Sequence, residues 1–312
     1  MNYYCVENLV EKGIWVISHY VESVMLGGFA VLEMRLKMFY SFYQNAEYSM
    51  EDDLRYLKLY SDYDHTENGQ AQNVNFTFET NSLELIQIRD TWNIDDVMGL
   101  GTELQRIIKL KKWAFELLCF NGKKLESRRY EKLNCFETIQ LAKSEGYSLN
   151  CRYISLIFTQ ILLAAGFKAR WVSCLPMELN YCECHCVAEV FIEEYKKWIV
   201  VDVALNIFYF DKKGNLLNLY DIRQHVLNNE PFRIQSTTKE HFQYVWEYWI
   251  RHVFRFKFLL NNKYNMLASS NKTFVFLNPK GFVVNDKGII HSENDTTRFI
   301  HFYNDKLFWK ES

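Results

Sequence analysis

Proline is nearly absent from this 312-residue chain, at three residues, and glycine stands at only twelve. That excludes collagenous, linker-rich and low-complexity architectures, which need one or both in quantity. Neither sign of charge is in excess: 36 Lys and Arg face 38 Asp and Glu, for a formal net charge of −2. No global basic field therefore points to nucleic acid or to an anionic membrane surface. Long uninterrupted apolar runs are missing too. The most apolar stretch near the start, residues 13–32, carries His19 and Glu22, and reads as a buried or amphipathic helix, not a membrane span. The opening residues Met1 to Cys5 lack a basic segment leading into an apolar one. A cytoplasmic location is therefore expected, with the eight cysteines held as reduced thiols. The sequon triplets at Asn75, Asn271 and Asn294 carry no weight in such a compartment.

What is present is the material for a core. Hydrophobic residues make up 49% of the chain, aromatics 17% and charged residues 24%, the profile of a soluble globular protein with one large domain or two ordinary ones. Three regions are expected. Residues 1–72 read as mainly helical, residues 73–225 as a mixed core, and residues 226–312 as an aromatic-rich extension. Within the core, residues 74–78 alternate like a short strand, and 81–88 fit either strand or helix. Residues 102–120 read as a helix with Leu104, Ile107, Leu110, Trp113 and Leu118 on its apolar side, and Lys109, Lys111 and Lys112 on a solvated face. A second helix spans 135–145, capped by Asn134 with Glu137 at the third position, and stopped by Gly146. Residues 154–165 are apolar nearly all round, which predicts a buried central helix ending at Gly166. The period then changes: 168–175, 184–192 and 198–203 are β-rich runs joined by short polar turns. Further on, 241–260 reads as an aromatic-rich helix, and 273–277 and 281–284 as strands.

Three residues of the core carry the chemistry. Cys151 opens the buried helix, where free N–H groups and the helix dipole favour a thiolate. His185 lies in the first strand of an expected hairpin and Asp202 in the second. An imidazole beside a thiol activates it and later protonates a leaving amine, while a carboxylate behind the imidazole fixes its tautomer and its charge. With the turn centred on Glu193 and Glu194, His185 and Asp202 are directly opposed on one sheet face. Taken singly, each residue is as well explained by packing or by a strand end. In this order and placement they make a nucleophile, a base and an orienting acid. The Cys151 N–H is a natural oxyanion donor, and Tyr147, Asn150 and Trp113 are candidates for the second donor or the cleft wall.

The motifs around these residues resemble the transglutaminase-like superfamily. Asn150-Cys-Arg-Tyr-Ile-Ser, followed by Leu162-Leu-Ala-Ala-Gly-Phe-Lys-Ala-Arg170, is similar to its nucleophile helix and following strand. Cys184-His-Cys-Val-Ala-Glu-Val190 is similar to its His-x-x-x-Glu-Val strand, and Lys197-Trp-Ile-Val-Val-Asp202 to its Trp-apolar-Asp strand. The chain departs from the pattern at Val203, where the family often has proline, and at Cys186 and Val187, where an aromatic is common. The resemblance runs from about Thr102 to Arg223. It implies an α+β fold with a papain-like core, the nucleophile helix packed on an antiparallel sheet, of the kind found in bacterial transglutaminase-like proteins. It also implies Cys151 as nucleophile, His185 as base, Asp202 as acid, and a peptide or protein amide as substrate. Hydrolysis is the favoured outcome. A transamidase, or a non-catalytic interaction module that keeps the fold, stays open beside it.

No metal or cofactor is expected. Cys182, Cys184 and Cys186 would share one face of a strand with His185 on the other, too widely spread for easy chelation, so packing beneath the sheet with Ala188 and Val190 is the better reading, with redox or disulfide chemistry as the alternative. No acidic loop of the EF-hand type argues for calcium. The C-terminal aromatics read as core more readily than as a sugar- or peptide-binding surface.

Overall fold

The computed structural model describes residues 49–66, 75–120, 132–179, 184–234, 243, 245–269, 271–284 and 297–309, together with the backbone of 6–9, 14–17, 124–125, 239–242 and 244. One six-stranded sheet organises them. Its strands are β1 (Ala169–Leu175), β2 (His185–Ile192), β3 (Lys197–Val201), β4 (Arg255–Leu259), β5 (Thr273–Leu277) and β6 (Arg298–Phe302), in the spatial order β6-β5-β4-β1-β2-β3. All neighbours are antiparallel except β5 and β6. Helices α1 (Met50–Leu59), α2 (Leu83–Thr91), α3 (Glu103–Leu118), α4 (Cys135–Glu145), α5 (Cys151–Ala164), α6 (Leu219–Leu227) and α7 (Lys239–His252) cover it.

The pleat divides the core in two. Ala169, Trp171, Cys186, Ala188, Val190, Ile199 and Val201 point to one face and pack with α2, α3, α4 and α5. Val172, Cys174, Val187, Val200, Phe256 and Phe258 point to the other and pack with α1, α6 and α7. Helix α5 is the innermost element. Every residue from Tyr153 to Ala164 is buried, as its all-round apolar sequence requires. It stops where Gly166 takes a left-handed φ of 88°, with the Phe167 N–H reaching back to the Leu162 carbonyl at 3.0 Å. The predicted cap of α4 is present in full: Asn134 accepts from the Glu137 N–H, and Glu137 accepts from that of Asn134.

Several expectations are corrected. Residues 83–91 settle as helix. The solvated face of α3 holds for Lys109 and Lys112 but fails for Lys111, which is only 4% exposed. The aromatic helix expected over 241–260 ends at His252, and β4 follows at once. Residues 281–284 form no strand. The C-terminal part adds β4, β5 and β6 to the same sheet as the core strands, so a boundary near 225 cuts across the sheet. In the region read as helical, Val6–Leu9 and Ile14–Ile17 form a two-stranded antiparallel pair, while α1 is helical with Ser49 as its cap. The stretch 18–48 lies outside the described residues.

One buried ion pair sits at the crossing of these layers. Arg170 and Glu189 face each other across β1 and β2, exposed by 1% and 0%. Glu189 Oε2 accepts from Arg170 Nε at 2.9 Å and from a terminal guanidinium nitrogen at 2.6 Å. Its other oxygen accepts the Leu219 N–H at the start of α6 and the Trp309 indole N–H, both at 3.1 Å. The guanidinium lies over the rings of Trp198 and Phe258, at 4.1 and 4.7 Å. Removing one partner strands a charge in the interior, which costs about 3–5 kcal/mol. Glu189→Ala is therefore expected to lower unfolding free energy by that order in urea titrations, and Arg170→Met with Glu189→Leu together by much less. A single-variant loss below about 1 kcal/mol, the range of a surface ion pair, would show that the pair is not structural.

Candidate active site

The three predicted residues meet at one end of the sheet. Cys151 is the first residue of α5, half-buried, and Asn150 caps the helix by accepting the Tyr153 N–H at 3.2 Å. His185 is the first residue of β2 and is 1% exposed. Asp202 follows β3 and is fully buried. His185 Nε2 lies 2.6 Å from Asp202 Oδ2. The Cys151 sulfur is 3.7 Å from the Cys184 carbonyl oxygen, and its side chain interacts with those of Cys186 and His185. The thiol thus comes from the helical layer, the imidazole and carboxylate from the sheet.

The hairpin reaches this arrangement by a different register from the one expected. Ala188 pairs with Val201 and Ile192 with Lys197, so the turn centres between Glu194 and Tyr195. Continuing that register sets Asp202 beside Val187, two residues along the strand from His185. A two-residue offset preserves the face, and the side chains join on the diagonal. The loop after β3 fixes the carboxylate. Asp202 and Ile207 exchange both backbone hydrogen bonds, at 3.2 and 3.0 Å, and Asn206 turns the chain with a φ of 59°. Asp202 Oδ1 accepts the Leu205 N–H at 3.1 Å, and Oδ2 also accepts the Tyr209 hydroxyl at 2.9 Å. Lys111 braces the loop from beneath, donating to the Asn206 carbonyl at 2.7 Å and to its side-chain oxygen at 2.9 Å. Burial pulls that amine down to about 7, against the pull of Asp202.

Aromatic edges enclose the imidazole. Tyr248 and Trp249 of α7 meet the His185 ring at 4.8 and 5.4 Å between centroids. Such an enclosure disfavours charge, yet the Asp202 carboxylate and then the Cys151 thiol outweigh it and raise His185 to about 10. Asp202 is held low in spite of its own burial, chiefly by the His185 charge. The contact with Cys186, followed by the contact with His185, overcomes burial and brings Cys151 well below the ordinary thiol value. These shifts all favour a thiolate beside an imidazolium, backed by a carboxylate.

Of the other candidates, Asn150 spends its side-chain oxygen on the helix cap. Trp113 packs edge-on against Trp92 at 5.8 Å. Tyr147 is half-buried in a short strand paired with Lys124–Leu125. Among the described residues, no hydrogen bond or ring contact joins Trp113 or Tyr147 to the three. Cys186 is core, as expected from its face, but it also reaches Cys151; Cys182 lies outside the described residues. The sequence reading missed Tyr209, Leu205, Lys111, Tyr248 and Trp249. No motif marks them, since each arrives through a loop or a distant helix. No group of three or more His, Cys, Asp or Glu suited to a metal is found among the described residues.

Comparison with known proteins finds a family match over this part of the chain. The profile of the transglutaminase-like superfamily matches residues 96–203, a span that includes Cys151, His185 and Asp202. Residues 96–203 form a transglutaminase-like domain. The α+β architecture, with a helix opening at Cys151 against a mainly antiparallel sheet, is that of the family's papain-like core. A solved structure of a candidate cysteine protease from Cytophaga hutchinsonii is similar at 16% identity over 45% of this chain, with a TM-score of 0.30. The chain covers 43% of that protein's length. No curated protein matches it. Within the described residues of the transglutaminase-like domain and its surroundings, no helix is long and apolar enough to cross a membrane.

The sign of the pH dependence follows from the raised imidazole. A His whose pKa rises on folding contributes stability that is complete below its ordinary 6.5 and is lost as pH climbs through about 10. The His185 ring is expected to titrate near that upper value by NMR, and to fall back toward 6.5 in Asp202→Asn. A ring in the parent that titrates at its ordinary value would remove the carboxylate from its assigned place.

Proposed function

We propose that this protein is a thiol enzyme acting on amide or peptide bonds, with Cys151 as nucleophile, His185 as acid and base, and Asp202 as the orienting acid. The observation that carries this reading is the buried 2.6 Å His185–Asp202 pair set against a half-buried thiol at a helix start. The Cys151 thiolate attacks the carbonyl carbon, and the oxyanion that forms is stabilised by N–H groups of the first turn of α5, that of Cys151 among them. Collapse breaks the C–N bond, the His185 imidazolium gives its proton to the departing amine, and a thioester remains on Cys151. The neutral imidazole then takes a proton from water, whose oxygen attacks the thioester. The C–S bond breaks to return the Cys151 thiolate beside the imidazolium, and the carboxylic acid product leaves and gives its proton to the medium. Asp202 keeps the ring oriented and its charge compensated throughout.

Hydrolysis is the favoured outcome because water needs no dedicated site, whereas transfer to an amine does. Alkylation of Cys151 by iodoacetamide at neutral pH, read by mass spectrometry, tests the nucleophile. Cys151 is expected to label ahead of the other cysteines, and to lose that lead in His185→Ala. Labelling no faster than its neighbours would point to an interaction module without activity. With peptide amide substrates, a labelled amine added to the reaction then separates transfer from release to water.

A further inference from the structure

Three sulfurs lie together at the site. Cys184 Sγ lies 3.9 Å from Cys186 Sγ, and both approach the Ser173 hydroxyl, at 4.0 and 3.3 Å. The Cys151 side chain interacts with that of Cys186, and its sulfur is 3.7 Å from the Cys184 carbonyl. Cys186 therefore stands between the nucleophile and Cys184, on the face of β2 that meets α5. All three are free thiols. The amide reaction uses only Cys151 as nucleophile, so Cys186 of β2 and Cys184 just before it have no step of their own in it.

We propose that Cys186 and Cys184 form a resolving dithiol, which captures a peroxide-oxidised Cys151 as a reversible disulfide. The step begins with a hydroperoxide as oxidant. The Cys151 thiolate attacks its terminal oxygen, an S–O bond forms, the O–O bond breaks, and the alkoxide or hydroxide leaves with a proton from the medium. Cys151 is now a sulfenic acid. The Cys186 sulfur attacks the Cys151 sulfur, an S–S bond forms and the S–O bond breaks, and hydroxide departs as water with the Cys186 proton. Two electrons have passed from two thiols to the peroxide. The Cys184 thiolate then attacks Cys186, which transfers the disulfide to Cys184–Cys186 and returns Cys151 as a thiolate. Closing 3.9 Å to bonding distance asks for about 2 Å of sulfur movement, within reach of side-chain rotation.

The protonation pattern agrees. Burial, then contact with Cys151 and Cys184, keeps Cys186 protonated. Its contact, with help from the charges of Lys257 and Arg152, draws Cys184 down to about 7 against burial. The attacking thiol of the exchange step is thus the one ionised near neutrality, and Cys184 is half-buried where Cys186 is not exposed at all.

This inference rests on the reading of Cys151 as an activated thiol, and one experiment separates the two. The full chain is treated with a several-fold molar excess of hydrogen peroxide at neutral pH, free thiols are blocked, and disulfide-linked and oxidised peptides are mapped without reduction. In the parent, one disulfide within Cys151, Cys184 and Cys186 is expected. After dithiothreitol, iodoacetamide labelling of Cys151 returns. In Cys186→Ala, Cys151 is expected to run on to sulfinic acid, which dithiothreitol does not recover. A parent in which Cys151 labels rapidly before peroxide, yet ends as sulfinic acid with Cys184 and Cys186 still free, overturns the inference and leaves the nucleophile standing. Peroxide that leaves all three thiols unchanged overturns it equally. Absence of selective labelling before peroxide removes the nucleophile itself. Because the parent's own map decides the matter, a Cys186→Ala chain that fails to fold does not rescue the idea, and Cys184→Ala, which retains the Cys151–Cys186 disulfide, identifies the first bond made.

Discussion

The Arg170–Glu189 pair is the constraint on which the site depends. It locks β1 against β2 at one register, and β2 begins at His185, four residues before Glu189. A slip of one residue there would turn the imidazole to the opposite face. The same carboxylate holds the first N–H of α6 and the Trp309 indole, so strand register, helix position and the far C-terminal segment are tied to one buried group. The cations of this interior are enclosed by aromatic rings as well as paired with acids. Charge is thereby held in the core without water, at the cost of requiring every partner to be present.

Around the thiol, two opposing terms set the chemistry. Burial alone would leave Cys151 protonated and His185 neutral. The carboxylate behind the ring reverses this for His185, and contact with Cys186 and then with His185 reverses it for Cys151; the carboxylate stays ionised because His185, Tyr209 and Leu205 stabilise it. His252 shows what happens without such a partner. Fully buried on the same helix as Trp249, with its Nδ1 against the Tyr248 carbonyl at 2.7 Å, it is pushed well below the ordinary imidazole value by burial and by the nearby His185 charge. Two imidazoles in one aromatic environment are driven apart by a single carboxylate.

Much of this was legible in the sequence because it depends on local rules. The cap and stop of α4, the all-round apolarity of α5 and the β-rich runs of β1 to β3 follow from residue order alone. Cys151, His185 and Asp202 were legible together because each sits at an element boundary that those rules locate. The hairpin register was misread because the turn residues Glu193 to Lys196 carry no glycine or Asn-Gly signal to fix its centre, and Lys196 itself takes the left-handed φ of 50°. Lys111 was misread because its partner, Asn206, is distant in sequence; a lysine among lysines on a helix gives no sign of being drawn inward. The aromatic run after 241 was read as one helix, since its bulk suits both helix and strand. The sheet it joins decides where the change falls.

That last strand set has a consequence for the order in which the molecule is made. Cys151, His185 and Asp202 are all synthesised before α7, β4 and the segment that carries Trp309. Until those later residues emerge, His185 lacks its aromatic enclosure and β1 its neighbour β4, so one wall of the site is missing. A nascent chain on the ribosome therefore carries Cys151 and His185 without these neighbours, and the site is complete only after α7, β4 and the Trp309 segment have emerged.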